Sequence, residues 1–203
     1  MSSQLFHYLF LSFLIGLIGL MFFLLAWYFY KEESDFKKII KNQAIKRNGQ
    51  VSGGLFFGKP TLRFNHYNEP VKIYNLRTRY SCITYIEIYL SQRVDQTIKI
   101  YKESIASKIG KTLGMRDIQI DNPDFDEKII IKASDERFIR KILTFEIQNK
   151  ILSLMEKYSF TISLNNNLFI ITFNNYFKND FDCDEFINLS LKLVDKIKIP
   201  EKF

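Results

Sequence analysis

The stretch SGGLFFGKP at residues 52–60 contains the spacing G-x-x-x-x-G-K, with which a phosphate-binding P-loop begins. In a P-loop, Ser or Thr follows the lysine to bind magnesium, and the loop opens a helix whose N-terminus faces phosphate. Here Pro60 follows the lysine, residues 61–65 (TLRFN) are strand-like, and Phe56 and Phe57 would put bulky rings where bare backbone is needed. We therefore interpret the stretch as a glycine bend and a turn before a strand, and not as a nucleotide site.

Two acidic runs share only part of the pattern of a calcium loop, which needs glycine at its sixth position and glutamate at its twelfth. The first, RDIQIDNPDFDEK at residues 116–128, lacks this pattern, and its central Pro123 favours a turn with solvated acids. The second, DFDCDE at residues 180–185, has glutamate where glycine is required. Because Asp182 and Glu185 have the spacing of a capping box, this run predicts the start of a helix. We expect no bound metal.

The side chains that serve as nucleophiles and bases do not form a catalytic pattern. His66 is the one histidine outside the apolar N-terminus, and it stands in FNHYNEP, where a turn is predicted. Cys82 and Cys183 have no neighbouring cysteine or histidine cluster, and no G-x-S-x-G motif is present. We expect a protein that is not an enzyme and that carries no cofactor.

Positive charge is concentrated just after the apolar N-terminus. Between residues 36 and 68 there is no Asp or Glu, and the net charge of the chain is +7. Basic residues beside a membrane attract anionic lipid headgroups by about 1 kcal/mol each. The sequence predicts membrane-surface contact by five of these residues, although lysines that only set topology fit equally well; the five are Lys37, Lys38, Lys41, Lys46 and Arg47. Acids are well mixed through the later sequence and no nucleic-acid module is recognisable, so we expect no nucleic-acid partner.

Residues 1–30 contain no Asp, Glu, Lys or Arg, and residues 5–30 read LFHYLFLSFLIGLIGLMFFLLAWYFY. A helix of about 20 apolar residues crosses the hydrocarbon layer of a bilayer. Trp27, Tyr28 and Tyr30 stand at one end of the run, as in an aromatic belt. A cleaved signal peptide would need a basic start, a shorter apolar run and a small-residue cleavage site, none of which is present. We predict a transmembrane anchor at residues 1–30.

The charge step after the anchor predicts its orientation. Lysines follow the span closely and none precedes it, so the positive-inside rule places the bulk of the chain in the cytoplasm. We expect a single-pass protein of the inner membrane, with a basic juxtamembrane segment at residues 31–48 and a cytoplasmic domain at residues 49–203. The juxtamembrane segment could extend the membrane helix or lie along the membrane as a short amphipathic piece.

Three small residues lie close to one face of the predicted membrane helix: Ser12, Gly16 and Gly19. Small side chains allow two helices in a membrane to approach closely. The sequence therefore predicts helix packing at these positions, either with a partner's helix or in a homodimer through the span. Isolated glycines are also common in single spans that pack against nothing.

Alternating and β-branched runs predict strands in the remainder. VKIYNL (71–76), CITYIEIYL (82–90) and TIKIY (97–101) predict an antiparallel meander. Further elements alternate strand and helix, so the fold class is α+β, with an antiparallel β meander and packed helices. These further elements are a helix at 104–113, strands at 117–120 and 128–132, a helix at 133–157 that breaks near residue 144, a hairpin at 159–173, and a helix at 184–198.

The order KIGKTLGMRDIQIDNPDFDEKIIIKASDE at residues 108–136, followed by RKIL and LSLME, resembles a loosely defined set of bacterial membrane-anchored proteins. In that set a short helix, a D-I-x-I turn, N-P-x-F-D and a strand lead into a helix. The resemblance implies a single span and a compact α+β domain. It implies no catalytic residue and no ligand.

These features together favour a membrane-anchored accessory or scaffold subunit that binds a protein complex through its span and its domain. The alternative is a membrane-surface module that binds anionic lipid or a lipid-like ligand. The expected partners are therefore membrane lipid and a protein complex.

Overall fold

The computed structural model describes residues 3–54, 58–77, 81–103 and 117–198. The helix predicted at residues 104–113 lies outside the described residues, as do Phe56 and Phe57.

The N-terminal helix α1 runs without interruption over Ser3–Lys46. Of the two alternatives for the juxtamembrane segment, the structure therefore has the first, because the membrane helix continues into it. The Asn-Gly pair ends the helix: Asn48 has φ 49°, and the Gly49 amide donates to the Ala44 carbonyl at 2.8 Å. A Cβ on Gly49 would lie 2.8 Å from the Arg63 carbonyl oxygen, so only glycine fits this turn.

Eight strands in the described part of the chain form one antiparallel sheet, in the order β1-β2-β3-β4-β8-β7-β5-β6. The strands are β1 Gln50–Ser52, β2 Thr61–His66, β3 Glu69–Arg77, β4 Cys82–Tyr89, β5 Ile98–Lys102, β6 Ile129–Ala133, β7 Phe160–Asn165 and β8 Leu168–Asn174. The α+β class is thereby confirmed. The predicted pairing of residues 71–76 with residues 82–90 is present as β3 and β4, but the continuation of the meander into residues 97–101 is wrong, because β8 and β7 lie between β4 and β5.

Four further helices follow the strands in the described sequence: α2 Pro123–Asp126, α3 Glu136–Ile142, α4 Phe145–Lys157 and α5 Asp180–Lys198. The predicted helix break near residue 144 is confirmed, since α3 and α4 meet there. The strand predicted at 117–120 is reduced to an isolated bridge between Asp117 and Lys132. The last helix begins four residues earlier than predicted.

One apolar row crosses seven strands of the sheet in register, and each of its members is at most 1% exposed. The row consists of Leu62, Ile73, Ile86, Ile171, Ile162, Ile100 and Ile131. Side chains of a strand alternate between faces, so this row defines the buried face. The C-terminal part of α1 and the apolar face of α5, centred on Phe186 and Ile187, complete this core.

Candidate membrane-proximal site

The N-terminal part of α1 projects from the domain. The helix is long and apolar enough to cross a membrane, and none of its apolar window is buried within the protein, which indicates a membrane protein. Phe13 is 68% exposed and Phe22 is 63% exposed. At Gly16 and Gly19 an added Cβ would meet nothing within 4 Å. The predicted packing surface, with Ser12, thus remains a prediction about a second helix.

The C-terminal part of α1 is built into the domain. Phe36 and Ile40 are fully buried, and the Phe36 ring lies parallel to that of Phe177, with centroids 6.2 Å apart. Apolar or buried side chains at Phe36, Ile39, Ile40, Gln43 and Ala44 follow the i, i+3, i+4, i+7, i+8 spacing of one helix face. The same helix therefore passes from an exposed apolar segment into the core of the domain within about two turns.

Polar side chains at the end of α1 bind the first turns of α5. Gln43 Nε2 donates to Asp180 Oδ1 at 2.7 Å, and Lys46 Nζ lies 2.8 Å from Asp180 Oδ2. Arg47 donates to Asp184 Oδ1 at 2.5 Å and to Asn188 Oδ1 at 3.1 Å. Burial alone would raise the pKa of Asp180, but the bonds from Lys46 and Gln43 hold it below its ordinary value.

This arrangement divides the five basic residues that the sequence assigned to the membrane surface. Lys46 and Arg47 form ion pairs within the protein. Lys37 is half-buried beside Gly54, where a Cβ would lie 2.5 Å from its Nζ. Lys38 and Lys41 are exposed. The structure thus leaves these last two lysines facing outward.

The N-terminus of α5 is capped one turn earlier than the sequence predicted. Asn179 Oδ1 accepts from the Asp182 amide at 2.8 Å, and Asn179 Nδ2 donates to Asp182 Oδ2 at 3.1 Å. The predicted box of Asp182 with Glu185 is wrong, because N-x-x-D and D-x-x-E overlap and only the first stands at the helix start. Glu185 instead pairs with Lys150 of α4.

The described glycines of the P-loop-like stretch take the predicted bend. Gly53 has φ 79°, and the Gly54 amide donates to the Gly58 carbonyl at 2.6 Å. Strand β2 then follows Pro60. The Lys59 ammonium lies 4.1 Å from the centroid of the Tyr74 ring, so it is engaged in a cation–π contact.

The described residues 117–128 of the first acidic run contain the short helix α2, Pro123–Asp126, where the sequence predicted a turn. Asp126 accepts from the Ile120 and Asn122 amides, and Asp121 pairs with Arg140 at 2.7 Å. Among the described residues, no group of three or more His, Cys, Asp or Glu side chains is placed to hold a metal ion. His66 Nε2 lies 2.9 Å from Asp195 Oδ1, which ties the β2–β3 hairpin to α5.

A cavity of about 620 Å³ lies where α1 meets the domain. One wall is α1, which contributes Tyr28, Glu32 and Asp35 at i, i+4 and i+7. The other wall is formed by the last residue of α4 and the two residues after it, 157–159, and by the end of β8 and the connection to α5, residues 174–178. We call this cavity the junction pocket. Sequence reasoning missed it, because its two walls are more than a hundred residues apart in the chain.

Charge of opposite sign lines the two walls of the junction pocket. Glu32 and Asp35 lie on the α1 wall, and Lys157 and Lys178 lie on the other. Tyr158 also lines the pocket, and its hydroxyl donates to Asp182 Oδ2 at 2.7 Å. Burial raises the pKa of Tyr158, and the bond to Asp182 raises it further, so the hydroxyl stays protonated.

A contact beside the pocket marks the level at which the domain meets the span. The Arg77 guanidinium, at the end of β3, lies 3.6 Å from the centroid of the Phe29 ring. Phe29 belongs to the aromatic end of the apolar run. The membrane-proximal edge of the sheet therefore touches α1 at the end of the predicted span.

Comparison with known proteins yields a likeness of fold alone. No family model matches the chain, and no curated protein matches its sequence. Among solved structures, the crystal structure of the mycobacterial trehalose monomycolate transport factor A, TtfA, is similar with a TM-score of 0.55 and 10% sequence identity. The match covers 82% of this chain and 98% of that chain. The α+β domain of this protein thus has the fold of TtfA.

Proposed function

We propose that this protein is a membrane-anchored accessory subunit that binds a protein complex through both its span and its domain. The observation that carries the proposal is the continuity of α1. Its exposed apolar part and its buried C-terminal part form one helix, Ser3–Lys46, so a contact made in the membrane is transmitted directly to the domain. TtfA, which has a similar fold, is named a transport factor. That name supports an accessory role in a membrane transport process.

The span supplies the first candidate contact. Gly16 and Gly19 leave a shallow face on α1, and in lipid such faces associate through close backbone packing. A partner's helix is one occupant of this face, and a second copy of α1 is the other. Either would stay associated in a mild detergent.

Co-purification of the tagged full-length chain tests this proposal. We expect a stable complex in mild detergent, and we expect its yield to fall when Gly16→Leu and Gly19→Leu are combined. The matched control is the pair Ile15→Leu and Ile18→Leu, which changes the shape of two side chains of the span but leaves Gly16 and Gly19 in place. A chain that migrates as a detergent-bound monomer, with no protein in fixed stoichiometry, would contradict the accessory role.

Continuity of α1 is tested separately. Ser34 lies in α1 between the exposed and the buried part, and proline in a helix interior costs about 3 kcal/mol and bends the helix. Ser34→Pro should reduce recovery of the complex while the domain stays folded, whereas Ser34→Ala should not. Equal recovery from both variants would show that the span and the domain need not act together.

We propose a location at the inner membrane with the domain in the cytoplasm. The support is the lysine excess that follows the span. A cysteine introduced at the exposed position Asn42 should be protected from a membrane-impermeant thiol reagent in intact cells and should react after lysis. Reaction in intact cells would indicate the opposite orientation, with the domain outside the cytoplasm.

The second candidate function is a membrane-surface module for anionic lipid. It is favoured by Lys38 and Lys41, which are exposed on α1 soon after the span. A fluorophore at Asn42 in nanodiscs should move closer to the bilayer when phosphatidylglycerol is included, and Lys38→Met with Lys41→Met should abolish the movement. No difference between neutral and anionic nanodiscs would dismiss this candidate.

A further inference from the structure

We propose that the junction pocket binds the headgroup of a phospholipid that carries a primary amine, as in phosphatidylethanolamine. The ammonium group would bind Glu32 and Asp35, and the phosphate would bind Lys157 and Lys178. This site goes beyond the proposed accessory role and is tested independently of it.

The depth of the junction pocket matches the headgroup layer. Tyr28 stands at the end of the apolar run, and Lys31 is the first charged residue after it. Since a helix rises about 1.5 Å per residue, Asp35 lies roughly 10 Å beyond Tyr28. The headgroup region on one side of a bilayer is roughly 5–7 Å thick. The α1 wall of the pocket therefore begins at the headgroups and extends just past them.

The acidic wall is positioned to accept hydrogen bonds from a cation. Tyr28 donates its hydroxyl to Glu32 Oε1 at 2.6 Å, which orients that carboxylate, and the second carboxylate oxygen has lone pairs that can accept from an ammonium group. Asp35, nearly one turn further along α1, is exposed into the same space. A primary ammonium has three donors and can bind both carboxylates at once.

The basic wall is positioned to bind an anion. Lys178 is exposed, and its ammonium lies 5.6 Å from the centroid of the Tyr158 ring. Lys157 Nζ lies 3.7 Å from Asp182 Oδ1, while Tyr158 and Asn179 donate to the other oxygen of that carboxylate, so a long ion pair holds Lys157 at the pocket. Within the described residues no ion pair closer than 4.0 Å joins the two walls. The Lys157 side chain is 53% exposed, and its ammonium has three donors, so it can bind a phosphate beside its contact with Asp182.

The pattern of charge selects among headgroups. An anionic headgroup without an amine would meet two carboxylates without a partner for them. A choline headgroup has no N–H to donate, and its usual site is a cage of aromatic ring faces. Three of the four aromatic rings that line this pocket pack against core rings: Phe177 and Tyr176 against Phe36, and Tyr158 edge-on against Phe173 and Phe186. Tyr28 is 53% exposed, and one ring is not a cage. A zwitterion with a primary ammonium satisfies both walls.

Size is also compatible with a headgroup. Sites for small molecules have volumes of about 300–1,000 Å³, and the junction pocket has about 620 Å³. Asn175, which lines it, has φ 81°, a left-handed conformation that asparagine adopts more readily than most non-glycine residues. Tyr28, at the end of the predicted span, lines the pocket, so a lipid headgroup at the bilayer surface lies within reach of it.

Titration of the full-length protein with dihexanoyl phospholipids tests the proposal. Phosphatidylethanolamine, phosphatidylcholine and phosphatidylglycerol of equal chain length are compared in detergent by native mass spectrometry. We expect phosphatidylethanolamine to bind about tenfold more tightly than the other two, the scale of one charge-assisted hydrogen bond. Equal binding of all three, or tighter binding of phosphatidylglycerol, would overturn the proposal.

Variants of both walls localise the binding. Asp35→Asn and Lys178→Met should each weaken phosphatidylethanolamine binding by about tenfold. Glu33→Gln and Lys128→Met are the matched controls, because they remove the same charges from positions that do not line the pocket, and they should leave binding unchanged. Ser159→Trp should block the pocket while keeping every charge. Unchanged binding in the wall variants would overturn the proposal, whatever complex the protein forms.

Discussion

The two parts of α1 place similar side chains in opposite environments. Phe22 is 63% exposed, whereas Phe36, on the same helix, is fully buried among aromatic rings of the domain. The change occurs across the charged residues at 31–35. Burial in lipid and burial in a protein core both remove apolar area from water, so the type of residue does not tell them apart. What differs is specificity, since the buried side chains of the second part pack against fixed neighbours in the core of the domain.

That difference predicts which substitutions affect the fold. A side chain in lipid can be shortened without leaving a cavity, because lipid tails fill the space. A side chain in a packed core cannot, because its neighbours relax only partly. The following predictions compare the two parts of α1, from the largest expected effect to the smallest.

The largest effect is expected from truncation of the buried aromatic anchor. Phe36→Ala should lower the free energy of unfolding by about 3–5 kcal/mol, because it leaves a cavity against Phe177. Phe22→Ala, the same change in the exposed part, should leave the unfolding of the domain unaltered. Chemical denaturation in detergent measures both. Equal effects would mean that the two parts do not differ in packing.

A smaller effect is expected from the buried amide that joins α1 to α5. Gln43→Leu keeps the volume but removes the two bonds to Asp180, and should cost about 1–3 kcal/mol of unfolding free energy. The matched control is Asn42→Leu at the adjacent exposed position, which should be close to neutral. If Gln43→Leu is neutral as well, apolar packing alone holds α1 on the domain.

A still smaller, pH-dependent effect follows from the lowered pKa of Asp180. The pKa of Asp180 in the folded protein lies below its ordinary value. The carboxylate therefore contributes fully to folding stability above the ordinary pKa, and this contribution is lost as the pH falls through the pKa of the folded protein. Hydrogen-exchange protection of residues 36–47 should be constant from neutral pH to about pH 5 and should fall below about pH 4. Asp180→Asn should remove this part of the profile. A variant with the same acid profile as the unchanged protein would show that other carboxylates cause the loss.

The smallest effect is expected from the exposed lysines. Lys38→Ala and Lys41→Ala should leave the midpoint of chemical unfolding unchanged, because both side chains face outward from the domain. A measurable shift would place these lysines in contact with the domain and would weaken their assignment to a membrane surface.

The sequence predicted those features that depend on local patterns. The apolar run, the Asn-Gly stop after α1, the β7–β8 hairpin and the helix break near residue 144 are each specified by neighbouring residues, and the structure has them. The sequence placed the cap of α5 one turn too late, because Asn179 with Asp182 and Asp182 with Glu185 both have capping-box spacing. The contacts of Tyr158 with Asp182 and of Asn179 with the Asp182 amide select the first pair. The third strand of the meander was misplaced because a period of two shows that a strand exists but not which strand it pairs with.

The candidate site separates most clearly what local sequence predicts from what only the tertiary structure decides. Tyr28, Glu32 and Asp35 share a helix face that is visible in the sequence, but their partners Lys157 and Lys178 arrive from more than a hundred residues away. Likewise, the basic character of residues 37–47 is a property of the sequence, whereas the ion pairs of Lys46 and Arg47 depend on the position of α5. Composition and spacing fix local conformation and the preference for lipid, because these depend on residues within a few turns of one another. The pairing of charges is decided only by the tertiary structure, because it depends on distances that packing of the whole sheet and its helices sets.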